Sequence, residues 1–95
     1  MDENNPVEFY KKLKGQLEAT SKWPSNYLYK FIVKSETDKV DKIHKIFDNM
    51  GAVINSKKSK NGKYTSISIT VNLRDPDDVI KKYKEVGEIE GVISL

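Results

Sequence analysis

Apolar residues recur along this chain at two periods, about 3.6 and 2, and the switches between them divide it into helices and strands. Between Pro6 and Thr20, Tyr10, Leu13 and Leu17 fall on one helical stripe, with Lys11, Lys12, Lys14 and Glu18 off it. Gly15 weakens that helix by about 1 kcal/mol relative to alanine. The stretch Ser21-Lys22-Trp23-Pro24-Ser25-Asn26 breaks it, because a residue before proline is pushed out of helical geometry. Residues 1–24 therefore read as a leading helix and linker, and residues 25–95 as the domain proper. Tyr27 to Lys34 is rich in aromatic and β-branched residues and alternates as a strand. Tyr27, Tyr29, Phe31 and Val33 take one face; Leu28, Lys30, Ile32 and Lys34 take the other.

A helix follows. Ser35 and Asp38 approximate a capping box, and Glu36, Asp38 and Asp41 suit a positive helix N-terminus. Val40, Ile43, Ile46, Phe47 and Met50 form its apolar stripe, and Gly51 stops it. Ala52 to Ser59 reads as a short strand, Asn61-Gly62 as a hairpin turn, and Lys63 to Leu73 as the returning strand. Alternation there gives a core face of Thr65, Ile67, Ile69, Val71 and Leu73 opposite Tyr64, Ser66, Ser68 and Thr70. Asp75-Pro76-Asp77-Asp78 opens the last helix with a cap, a proline in the first turn and two favourably placed acids. Val79, Ile80, Tyr83 and Val86 make its stripe, Gly87 ends it, and Val92, Ile93 and Leu95 give a final short strand.

Strand–helix–strand–strand–helix–strand over residues 27–95 is the α+β, ferredoxin-like βαββαβ pattern, here with an extra N-terminal helix. Right-handed crossovers place both of its helices on one face of a four-stranded antiparallel sheet, with the first and third strands central. The open face then presents Leu28, Lys30, Ile32 and Lys34 beside Tyr64, Ser66, Ser68 and Thr70. Leu28 and Ile32 ask for cover, either from the leading helix or from another molecule.

Composition narrows the function classes. Ninety-five residues make one domain, and the absence of cysteine excludes a disulfide framework, thiol catalysis and cysteine-ligated metal sites. No apolar run approaches the roughly 20 residues of a membrane span, and Met1–Pro6 is no signal peptide, so a cytoplasmic protein without a membrane role is expected. The net charge of +3 is small but unevenly placed. Residues 27–63 hold nine lysines against four acids, whereas 64–95 hold four basic residues against six acids. Lys57, Lys58, Lys60 and Lys63 crowd the hairpin. With Lys30 and Tyr64 they form the candidate anion- or partner-binding set, against the plainer reading of lysines that blunt an exposed edge. Leu28, Ile32, Ser66 and Ser68 form the candidate interaction set on the open face.

Catalytic chemistry is missing. His44, the sole histidine, sits beside a core stripe without partners at metal spacing, and no glycine-rich loop leads from a strand into a helix. Asp75, Asp77 and Asp78 are explained as a helix start without invoking Mg²⁺. An enzyme is therefore not expected, nor any cofactor or metal. RNA-recognition domains of this topology place aromatics on both central strands, and only Tyr64 answers that requirement here. Nucleic-acid binding through the basic hairpin and open face is thus the alternative reading.

The run Trp23-Pro24-x-x-Tyr27-x-Tyr29-Lys30-Phe31-Ile32, the segment Ser59-x-x-Gly62-Lys63-Tyr64-Thr65-Ser66-Ile67-Ser68-Ile69 and the ending Gly91-Val92-Ile93-Ser94-Leu95 resemble the YbeD-like family of small bacterial proteins of unknown function. The resemblance covers about residues 20–95. It implies an α/β plait similar to the ACT regulatory domains of amino-acid-metabolism enzymes, and a role in binding and regulation. ACT domains that bind amino acids commonly carry a glycine after the first strand. Residues 34–38, Lys-Ser-Glu-Thr-Asp, have none, so the resemblance does not extend to that mode of effector binding. The expectation is a small non-enzymatic regulatory or interaction module. It would act by contact with a protein partner or a second copy, or by binding a small effector.

Overall fold

In a computed structural model that describes residues 6–95, the alternating segments become two ten-residue strands paired along their whole length. The polar start at Met1–Asn5, with the signal-peptide reading that falls on it, lies outside the described residues. The described elements are α1 (Pro6–Thr20), β1 (Ser25–Lys34), α2 (Lys39–Ile46), β2 (Val53–Lys58), β3 (Tyr64–Leu73), α3 (Pro76–Gly87) and β4 (Ile93–Ser94). They form an α+β fold with one antiparallel sheet in the order β2-β3-β1-β4. The first and third strands are therefore central.

Register fixes the two faces. Tyr27 pairs with Val71, Tyr29 with Ile69, Phe31 with Ile67 and Val33 with Thr65. These residues lie under α2 and α3, where Ile43, Phe47, Val79 and Val86 complete the core. Each large side chain buried there contributes roughly 1.5–3 kcal/mol before entropy is counted. Aromatic rings concentrate on the middle of β1: Tyr29 meets Tyr27 at 4.7 Å, Tyr83 at 4.8 Å and Phe47 at 5.1 Å between centroids.

The last helix starts as its sequence directs. Asp75 has extended backbone and its Oδ1 accepts from the Asp78 N–H at 3.0 Å, with Pro76 inside the first turn. The second helix departs from expectation at both ends. No capping box forms, because the Ser35 hydroxyl is engaged with Thr65 Oγ1 at 2.7 Å, serving a buried polar group, and Asp38 makes no side-chain cap. The helix also stops at Ile46 rather than reaching Met50. Phe47 and Asp48 donate to the carbonyls three residues back, which tightens the chain into turns that Gly51 leaves at a φ of 69°. Lys82 Nζ donates to the Ile46 carbonyl at 2.8 Å, satisfying one of the acceptors at that helix end.

The leading helix lies beside α3, in the same layer as the other helices. Lys14 pairs with Asp77 at 2.9 Å, Lys84 Nζ stands 5.6 Å from the centre of the Tyr10 ring, and Trp23 Nε1 donates to the Leu17 carbonyl at 3.1 Å. Of the two covers considered for Leu28 and Ile32, α1 is thus not the one. Among the described residues no element covers the sheet face opposite the helices. None of the described helices is long and apolar enough to cross a membrane.

Candidate functional site: the open face of the sheet

The open face is built by the side chains that alternation turns away from the core. Three cross-strand rows define it. The first runs Val53–Thr70–Leu28, the second Asn55–Ser68–Lys30, and the third Lys57–Ser66–Ile32–Ile93. Tyr64 and Lys34 pair beyond the third row. Leu28 is 51% exposed, Val53 61% and Ile93 53%, with Ile32 half-buried between its neighbours. Asp and Glu are absent from all four described strands, so every acid of the chain lies in helices, loops or the terminus. The face thus combines aliphatic side chains, hydroxyls, amides and ammonium groups, with no Asp or Glu side chain on its strands to offset them.

At one end of this face the hairpin shapes a hollow. The Gly62 N–H donates to the Ser59 carbonyl at 2.8 Å, closing a turn in which Gly62 has a φ of 75°. Asn61 Oδ1 accepts from the Ser59 hydroxyl and the Lys63 N–H, each at 3.0 Å. The turn is held by its own polar groups, which leaves its lysines for solvent. Ile32, Lys57, Lys58, Ser59, Lys60, Tyr64 and Ser66 line a shallow hollow of about 390 Å³. It joins most of the hairpin set to Ile32 and Ser66 of the open-face set. Lys63 leans over Tyr64, its Nζ 5.9 Å from the ring centre. Lys30 stands apart, paired with Ser68 in the middle row, and Leu28 is a row further on. Lys58 pairs with Thr65, so alternation directs it away from Lys57.

Val53 and Ile93 belong to this face and sequence reasoning missed them. Ala52–Ser59 carries no clean alternation of its own, and β4 is two residues long; only their pairing with β3 and β1 assigns their faces. The hairpin signal at Asn61-Gly62 was the available clue for Val53, since a fixed turn fixes register.

Other candidate groups are accounted for by the fold. Asp75 caps α3, Asp77 pairs with Lys14, and Asp78 lies 3.5 Å from Arg74. The hydrogen bond and charge of Asp77 raise the affinity of Lys14 for its proton. Among the described residues no group of three His, Cys, Asp or Glu side chains is placed to hold a metal, and His44 is exposed. The Tyr29 hydroxyl donates to the Val79 carbonyl at 2.9 Å, and Tyr27 and Tyr83 share a 2.8 Å hydrogen bond. Burial pushes the hydroxyls of Tyr29 and Tyr83 far above the ordinary range, with the Tyr27 contact adding to Tyr83, so both stay neutral and structural.

Fold and surface together define a small α+β protein whose one bare sheet face is basic and partly apolar. The chain belongs to the family described as "Protein of unknown function (DUF493)", whose sequence model matches residues 18–95, and which is the YbeD-like family its motifs resemble. Most of α1 precedes the matched region. The fold is similar to the solution structure of protein HP0495 from H. pylori, with a TM-score of 0.63 at 16% identity over 80% of this chain and 86% of that one. A comparison with curated proteins finds no match.

Proposed function

We propose that the chain is a non-enzymatic regulatory or interaction module, carried on a ferredoxin-like plait and acting through the open face of its sheet. The observation that carries this reading is the exposure of Leu28, Val53 and Ile93 among lysines on a face without a single acid. Central β1 and β3, with α2 and α3 against one face, are what support the plait. Aliphatic side chains gathered and exposed on one sheet face are costly unless something covers them, and they mark interaction surfaces when charged and polar groups rim them. The test is capture from cell extract with the wild type and with a Leu28→Asp/Lys30→Glu variant of unchanged circular dichroism. Proteins retained by the first and lost by the second are the expected result; identical retention would remove the reading.

Nucleic-acid binding is the competing reading, favoured by the part-exposed Tyr64 ring beside the hairpin lysines. Filter binding of a single-stranded RNA at two salt concentrations decides it, because phosphate contacts impose a steep loss of affinity with salt.

A further inference from the structure

We infer that the occupant of the open face is an acidic amphipathic helix of another protein, laid along β1. The inference rests on reading that face as the interaction surface, and it follows from what each class of occupant would leave unsatisfied. A small anion would neutralise Lys57 or Lys30 and leave Leu28, Val53 and Ile93 in water. A nucleic acid would do the same, since bases stack on aromatic platforms and the only ring among the open-face positions is Tyr64, beyond the third row. A second copy docked face to face would bring the lysines of one face, Lys30, Lys34 and Lys57, against those of the other, with no Asp or Glu on the strands of either to compensate. An acidic protein segment with its own apolar side chains answers both demands.

The layout of the rows selects a helix. The apolar positions are divided between the first row, Leu28 and Val53, and the third, Ile32 and Ile93; the middle row is Asn55, Ser68 and Lys30. Four residues of strand separate Leu28 from Ile32, a distance of roughly 13 Å. A helix rising 1.5 Å per residue covers about 12 Å of that span in eight residues, a spacing that keeps both side chains on one apolar stripe. Two apolar side chains a little over two turns apart on one stripe would seat in the outer rows. Asp or Glu between and beside them would reach Lys30, Lys34 and Lys57. An extended segment would instead pair with the edge of β2 and leave the apolar rows uncovered. A helix there adds a layer to the sheet face that now has none, and its apolar stripe would bury the aliphatic rows as helix-on-sheet packing does on the other face.

The experiment is a display selection against the full chain with two libraries of twenty-residue segments, one patterned as an amphipathic helix and one alternating as a strand, charged positions randomised in both. Winners are remeasured in solution against the wild type, Leu28→Asp, Lys30→Glu, Lys57→Ser and a control on α3, Lys81→Glu, each checked for intact circular dichroism. The expected result is acidic helical winners whose affinity drops about tenfold or more with Leu28→Asp and with Lys30→Glu but holds with Lys81→Glu. Replacing the facing Glu by Lys in the winner should restore binding to Lys30→Glu. Strand-patterned winners, or winners indifferent to Lys30→Glu but sensitive to Leu28→Asp, overturn the acidic helix while leaving the open face as the interaction surface. Winners indifferent to every open-face variant overturn both. A single-stranded RNA twenty-mer that competes with the winners and is released steeply by salt overturns the protein partner in favour of nucleic acid.

Discussion

Two side chains show how single residues commit this fold. Tyr29 places its ring at the centre of the aromatic cluster and its hydroxyl on the Val79 carbonyl, so one residue on β1 fixes the position of α3. Burial favours its neutral form, raising its proton affinity above the unfolded value near 10. A group held neutral in this way contributes stability that is fully present below pH 10 and is lost as pH rises beyond it. Urea unfolding at pH 8 and pH 11 should therefore give a lower free energy at the higher pH. Tyr29→Phe should cost about 0.5–1.5 kcal/mol at pH 8 and reduce that pH dependence to the share that the buried Tyr83 hydroxyl contributes; an unchanged slope in the variant would show that Tyr29 is not a source of it. Asp75 acts by a simpler route, its carboxylate meeting the Asp78 N–H. Asp75→Ala should lower stability by about 1 kcal/mol in the same assay, and Asp75→Asn by clearly less, because the amide oxygen still accepts.

At the scale of elements, two glycines make opposite demands. Gly62 sits at a φ of 75° in the β2–β3 turn with open space where a Cβ would be, so Gly62→Ala carries a conformational cost alone, roughly 1–2 kcal/mol. Gly15 lies inside α1, also with open space beside it, and Gly15→Ala should firm that helix by up to about 1 kcal/mol. Thermal melts of the two variants should move in opposite directions, and a shared direction would contradict the assignment of either turn or helix. These elements were legible before any coordinates, because Asn61-Gly62, Asp75-Pro76 and the β1 and β3 alternations are local signals. What local signals left out has a common cause. The Ser35 hydroxyl went to Thr65 because a strand thirty residues away brought a buried hydroxyl to it. The early stop of α2 answers to Lys82 on α3, and the place where the Tyr10, Leu13 and Leu17 stripe of α1 docks answers to Asp77 and Tyr83 on that same helix. Val53 and Ile93 joined the open face through register with partner strands. Half of the candidate site was readable in this sense: its central strands carried their faces in their own sequence, while its edge strands did not.

The whole molecule separates its charge by layer. Among the described residues the acids occupy helices and loops, while the strands carry four lysines and no Asp or Glu, so a mild net charge of +3 conceals a basic sheet. The same lysines that would attract an acidic partner keep two copies of the bare face apart. Leu28, Val53 and Ile93 supply the apolar surface for self-association, and Lys30 and Lys57 supply the repulsion that opposes it. Removing the repulsion without touching the apolar side chains should therefore release the association. Sedimentation velocity at 0.1 M NaCl, where charges interact over about 10 Å, should find the wild type monomeric and Lys30→Ser/Lys57→Ser in equilibrium with a heavier species. Adding Leu28→Ser to that double variant should return it to monomer. Raising the salt to 1 M, where the range falls to about 3 Å, should move the wild type part of the way toward the behaviour of the double variant. A double variant that sediments like the wild type, or an association that survives Leu28→Ser, would mean that the lysines of the open face do not serve to keep its aliphatic rows apart.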